Sequence, residues 1–165
     1  MDARRHGELA RTKNITSVER KSDREVVVTR SFDAPARLVF EAWSNPELFN
    51  RWWVPKSMGM TLRSCEMDVR TGGEYRLGFD GMDFFGRYLE VTPPSRIVWT
   101  NDEGGENGSV TTVTLTKTDG KTLLVVSEVY PSKEALDADG GGAADAMHET
   151  LGQLDDLLVE LASNS

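Results

Sequence analysis

Few side chains in this 165-residue sequence are of types that do chemistry, and their spacing decides which could act together. The Trp52-Trp53 pair is the most conspicuous. A rigid indole face can wall an apolar pocket and stack on a ligand ring. The plainer expectation is that both indoles plug a junction between a short helix and a sheet. Glu128 stands in a mostly apolar segment, Leu123 to Tyr130. Turned inward, it would put a carboxylate in a low dielectric, a setting used for acid–base work. Turned outward, it would be one more charge on the solvated face of a sheet, which is the expectation. Glu90 and Asp83 carry the same ambiguity. His148 is the only histidine besides His6, and no serine, cysteine or carboxylate is spaced to orient it as a general base. It reads as a solvated helix residue. Asp68 and Arg70 share one side of an extended segment before Gly72-Gly73 and read as a pair that holds a turn. Cys65 is expected to be a small strand residue. No Gly-x-Ser-x-Gly, phosphate loop or dinucleotide fingerprint occurs, so no catalytic residue and no cofactor is assigned.

The totals narrow the class. Lys and Arg number 19 against 27 Asp and Glu, a net charge of −8 with a pI near 4.8. No general basic surface is therefore available for nucleic acid. Residues 1–24 reverse the sign, with seven basic against four acidic residues. Polar and aperiodic, residues 1–23 read as a flexible leader, with contact to an acidic partner as the alternative. They lack the apolar run of a secretory signal, and no stretch approaches the roughly 18 apolar residues of a membrane span. Cys65 alone excludes an intrachain disulfide and suits the cytoplasm. With His6 and His148 the only histidines, no metal site is expected.

The elements follow from pattern. Glu25–Phe32 is rich in β-branched residues and predicts a first strand. Asp33-Ala34-Pro35 stops it, with Asp33 as a candidate cap for a helix over Ala36–Ser44 that buries Val39, Phe40 and Trp43. Asn45-Pro46 starts a second short helix ending near Trp52-Trp53-Val54-Pro55. Period two then takes over: Met60–Met67, a turn at Arg70–Gly73, and Glu74–Asp80 with Tyr75, Leu77 and Phe79 on one face. Asp80-Gly81 signals a hairpin to Phe84–Val91, followed by Arg96–Thr100 and a Gly-rich loop over Asn101–Ser109. Val110–Lys117 and Leu123–Tyr130 form a last hairpin, in which Val113 and Leu115 face inward with either Leu124 and Val126 or their neighbours. Ser132 is a candidate cap for a helical region that Gly140–Gly142 interrupts.

From Ala143 to Leu161 the apolar residues Ala144, Met147, Leu151, Leu154, Leu158 and Leu161 recur every three or four positions, one stripe of a helix. Asp145, His148, Glu149, Asp155, Asp156 and Glu160 make its solvated face. Such a helix is roughly 28 Å long and needs a broad apolar surface to lie on. The expectation is one α+β domain over residues 24–163. It has two short helices after the first strand and a strongly curved antiparallel sheet of about six to seven strands. The sheet wraps the long C-terminal helix and encloses a cavity against it.

Particular residues also carry a likeness. The run Val26 to Pro35, then Val39-Phe40-Glu41-Ala42-Trp43 and Asn45-Pro46-Glu47, resembles the opening of the START-like, or SRPBCC, helix-grip superfamily. Arg51-Trp52-Trp53-Val54-Pro55, Asp68 to Arg76, Gly86 to Pro94 and Leu151 to Leu158 narrow it. They are similar to the bacterial branch related to the C-terminal domain of the heat-shock-protein-90 ATPase activator. The likeness spans about Arg24 to Leu161 and implies a sheet gripping the long helix. Members include lipid carriers and aromatic-polyketide cyclases, so it leaves activity open. The chain departs where Ala146-Met147 stands in place of a frequent Gly-Trp, and in its Gly140–Gly142 run, two changes expected to reshape the cavity mouth. The activators carry a separate N-terminal domain for which residues 1–23 are too short, which argues against a chaperone partner.

The resulting expectation is a small apolar or aromatic ligand held between sheet and helix. Its contacts would be Trp43, Trp52, Trp53, Tyr75, Phe84, Tyr88, Trp99, Glu128, Met147 and Leu151. Two alternatives stand beside it: a cyclase- or hydrolase-like enzyme using Glu128 or His148, and a chaperone-associated interaction module with an exposed apolar patch. An exposed Trp52-Trp53 edge would favour a homodimer.

Overall fold

The computed structural model describes residues 15–79, 81–102, 108–139 and 142–163. Alternation in Glu25–Phe32 (β2) and Lys121–Val129 (β8) puts Val26, Val28, Leu124 and Val126 on one buried face. The two strands pair antiparallel with Val28 opposite Val126. Val110–Thr118 (β7) joins β8 through Asp119 and Gly120, whose φ values of 48° and 81° suit a two-residue turn matched to the strand twist. Arg96–Thr100 (β6), Met82–Thr92 (β5), Glu74–Phe79 (β4) and Ser64–Met67 (β3) continue the sheet outward. The order is β1-β2-β8-β7-β6-β5-β4-β3, and β1 is Ser17–Arg20.

Eight strands among the described residues exceed the expected six to seven, and β1 is the addition. It lies inside the segment read from sequence as a leader, so order begins before Arg24. All four of its residues are exposed and only Val18 is apolar, so it shows no periodicity to read. Its ladder to β2 supplies the hold that burial does not. Arg30 adds a bond to Thr16 Oγ1 at 3.2 Å. Of that leader, residues 1–14 lie outside the described residues, as do Asp80 of the expected hairpin turn, residues 103–107 of the Gly-rich loop, Gly140 and Gly141, and the side chain of Ala144.

The sheet bends sharply at β5. The register with β6 shifts between Tyr88 and Glu90, and such bulges curve a strand. Close to the shift, a Cβ on Gly86 would stand 1.9 Å from the Thr100 carbonyl oxygen and 2.8 Å from Tyr75 Cε1. Only glycine allows that approach.

Ala36–Ser44 (α1) follows Pro35 as the sequence predicts, but Asp33 does not cap it; Asp33 pairs with Lys121 at 2.9 Å. Pro46–Trp52 (α2) is capped by Asn45, whose Oδ1 accepts from the Glu47 N–H at 3.0 Å. Ser132 accepts from the Ala135 N–H at 3.1 Å and starts Lys133–Asp139 (α3). The long helix, Gly142–Ser163 (α4), buries Leu151, Leu154, Leu157 and Leu158. Each such side chain contributes roughly 1.5–3 kcal/mol of burial. The packing of α4 concentrates on α1, α2, β1 and β2. Arg30 on β2 reaches Asp155 on α4 at 2.9 Å and ties the two together. The helix therefore covers one half of the sheet, and the half built from β3 to β6 is left to face inward space.

Gly86→Ala should lower the melting temperature by about 3–10 °C through overpacking. Gly152→Ala, with nothing within 4 Å of the added Cβ, should hold or raise it through helix propensity. Circular dichroism melts of both variants check the pair.

Candidate functional site

The uncovered half of the sheet encloses a cavity of about 510 Å³, within the size range of small-molecule sites. Its sheet wall comes from alternate residues: Tyr75, Leu77 and Phe79 on β4, Phe84 and Tyr88 on β5, and Ile97 and Trp99 on β6. The opposite wall is Trp43 and Phe49 from α1 and α2, Trp53 to Pro55 after α2, and Ala146, Met147 and Thr150 from α4. The aromatic side is tightly built. Trp43 lies edge-on to Trp52 with ring centres 4.7 Å apart and stands 5.9 Å from Trp99, while Phe49 stacks on Trp53 at 4.8 Å. Met58, Met60 and Met82 also line the space and are substantially exposed, so they form its rim.

One end is polar. The inward parity of β8 runs Thr122, Leu124, Val126 and then Glu128, so Glu128 faces the cavity, with the buried Thr111 opposite it on β7. Tyr75 donates to the Thr100 carbonyl at 2.8 Å and stands 3.2 Å from Asn101 Oδ1. The Asn101 amide donates to Thr111 Oγ1 at 3.0 Å, and Thr111 donates to Glu128 Oε1 at 3.2 Å. Tyr130 lies beside Glu128 and Asp139, the last residue of α3. Burial first, then those two carboxylates, pushes the Tyr130 phenol well above its ordinary value. Burial does the same to Tyr88, with smaller contributions from Cys65 and Asp68. Both phenols are thus kept neutral.

The wall after α2 has only one short 3-10 turn of its own, Lys56–Met58, and α4 supplies the rest of the hold. Gln153 Nε2 donates to the Trp52 and Val54 carbonyls, each at 2.9 Å, and its Oε1 accepts from the Lys56 N–H at 2.8 Å. Glu149 accepts from the Ser57 N–H at 3.0 Å and from the Ser57 hydroxyl. These bonds place the Glu149 carboxyl below its ordinary value, since they favour the charged form.

Of the ten residues expected around a ligand, Trp43, Trp53, Tyr75, Phe84, Tyr88, Trp99, Glu128 and Met147 line the cavity. Trp52 and Leu151 do not. Both are fully buried in the core, and Trp52 spends its indole N–H on the Ala42 carbonyl at 2.9 Å. The tryptophan pair therefore divides, one ring packing and the other, half-buried, lining the cavity. Glu128 faces inward against the outward expectation, because the β8 pattern continues two residues past Val126. His148 is exposed and lies outside the lining, as does Cys65, which sits 3.5 Å from Met67 Sδ. Asp68 and Arg70 pair at 2.9 Å on the surface, as expected of a turn. Tyr130, Thr111 and Asn101 were not anticipated. The first two share the parity of Glu128, a signal that was legible once one inward residue was known; Asn101 and Gln153 carry none. Ala146 and Met147, where the chain departs from the family pattern, both face the cavity. Among the described residues no group of His, Cys, Asp and Glu could hold a metal ion, and no helix is long and apolar enough to cross a membrane.

A curved antiparallel sheet, a long C-terminal helix and a cavity between them define the helix-grip fold of the START-like superfamily. Within it, the family described as "Activator of Hsp90 ATPase homolog 1-like protein" matches residues 33–159, and the chain belongs to that family. Among solved structures, a Rhodobacter sphaeroides protein superposes with a TM-score of 0.79 at 24% identity, covering 88% of this chain and 99% of its own. A Nitrosomonas europaea protein gives 0.75 at 21%, covering 86% and 98%. A Chromobacterium violaceum protein gives 0.69 at 26%, covering 83% and 98%. No curated protein matches the chain.

Because the folded-state value of Glu149 is depressed, its contribution is present above the ordinary glutamate range and is lost as pH falls through the lowered value. Protection of the Ser57 amide, corrected for the intrinsic exchange rate, should fall as pH drops below the ordinary glutamate range. Glu149→Gln should show the lower protection already at neutral pH. Hydrogen exchange read by mass spectrometry, with residues of β8 as the internal reference, checks both.

Proposed function

We propose that this protein binds a small hydrophobic or aromatic molecule in the cavity between sheet and helix, as a carrier or sensor. The observation that carries the reading is the cavity itself: aromatic on two walls, about 510 Å³ in volume, and polar at one end. Apolar contact would supply the affinity and the polar end the orientation. At about 0.3 kcal/mol per non-hydrogen atom, a ligand of roughly twenty such atoms gains about 6 kcal/mol, a Kd of tens of micromolar. Cytoplasmic work fits the single cysteine. A second reading, a chaperone-associated interaction module, is favoured by the family description and by the exposed rim of Met58, Met60 and Met82. The cavity weighs against it, since its depth and aromatic walls suit a small molecule better than a protein surface.

Native mass spectrometry of freshly purified protein, followed by release and analysis of small molecules, tests the first reading. A stoichiometric bound compound is expected, and its retention should fall at least about tenfold in Trp53→Ala, which removes an aromatic wall. Binding of apolar aromatic compounds that is absent from the wild-type chain, or indifferent to Trp53→Ala, would move the weight to the interaction module.

A further inference from the structure

The polar end carries a sign. Glu128 and Asp139 are the only acidic groups on the described cavity lining, and no Lys, Arg or His is among them. The neutral donors are ordered toward the same place. Tyr75 faces Asn101, Asn101 donates to Thr111, and Thr111 donates to Glu128, while Tyr130 stands on the lining with both carboxylates. The end of the cavity is thus an acceptor site surrounded by donors already committed to it. A ligand carboxylate, phosphate or sulfonate placed there would meet like charge in a low dielectric. A protonated amine would meet opposite charge, with the aromatic walls adding attraction for a cation. The net charge of −8 favours encounter with the same sign of ligand.

A second, independent observation, at the aromatic wall, points to a ligand. Trp43 lines the cavity and is 2% exposed, and its indole N–H meets no hydrogen-bond acceptor. A buried donor without an acceptor is costly, and an ether, carbonyl or ring-nitrogen acceptor on a bound molecule would relieve it.

We propose that the cavity selects an aromatic amine: a ligand whose rings lie among Trp43, Trp53 and Trp99 and whose ammonium group docks on Glu128. The inference rests on the cavity-binding reading above and narrows it to one ligand class, excluding fatty-acid-like anions.

The test uses the full chain and three probes with one ring system, measured by isothermal calorimetry at neutral pH: 1-naphthylmethylamine, 1-naphthylmethanol and 1-naphthoate. The amine should bind at least about tenfold more tightly than the alcohol, as a charge-assisted hydrogen bond would give, and the carboxylate should be weakest. Glu128→Gln should remove the advantage of the amine while leaving the alcohol within about twofold. Should that variant not fold, intermolecular Overhauser contacts between the amine methylene and Glu128 in the wild-type protein locate the ammonium, and their absence overturns the assignment. An alcohol that binds while the amine is no tighter, or a carboxylate that binds best, overturns the amine selectivity and leaves the cavity reading intact. Failure of all three probes overturns both.

Discussion

The packing of α4 on one half of a bent sheet is the constraint on which everything else depends. Leu151, Leu154, Leu157 and Leu158 are buried in one core with Val28 and Phe32 of β2, Val39 and Trp43 of α1 and Phe49 of α2. A single helix is narrower than an eight-stranded sheet, so it cannot cover both halves. The sheet answers by curving at Gly86 and at the β5 bulge, which brings β3 to β6 round to face the helix across open space. The cavity is what remains between two surfaces that cannot meet. The same helix thus serves two purposes along its length: core near Leu151 to Leu158, and cavity wall at Ala146, Met147 and Thr150.

The segment between α2 and β3 depends on that arrangement in turn. It holds Trp53, Val54, Pro55 and Met58 against the cavity but has little regular backbone bonding of its own. Gln153 and Glu149, one helical turn apart on α4, supply the missing partners. Buried backbone groups must be paired, so an exposed-looking stretch of the helix becomes the clamp for a wall. Glu149, read from sequence as part of a solvated face, remains partly exposed and still does this work.

The fold also separates packing from lining within a single sequence motif. Trp52 and Trp53 are adjacent, yet helix geometry turns successive residues about a hundred degrees apart. One indole enters the core and bonds the Ala42 carbonyl; the other stacks on Phe49 and faces the cavity. Sequence proximity alone could not assign the two. The family resemblance named the fold correctly for the same reason that it left the ligand open: what its members share is the sheet, the helix and the turns that join them.

What the sequence determined by itself is the set of local patterns whose period is short. The three-and-four spacing of the last helix, the caps at Asn45 and Ser132, and the alternation of β4 and β7 are each readable within a dozen residues, because steric and hydrogen-bonding preferences act at that range. Strand β1 escaped, since Ser17–Arg20 is held by its neighbour's ladder and not by burial. Asp33 was misread because Lys121, distant in sequence, offers it a better partner than the helix end. The direction of Glu128 was undecidable while the parity of Leu123 to Val126 was open, and only pairing with β7 and β2 decided it. The polar end joins Tyr75, Asn101, Thr111, Glu128, Tyr130 and Asp139 from five separate stretches of chain. No local pattern encodes that meeting, because sheet curvature and strand order bring those stretches together.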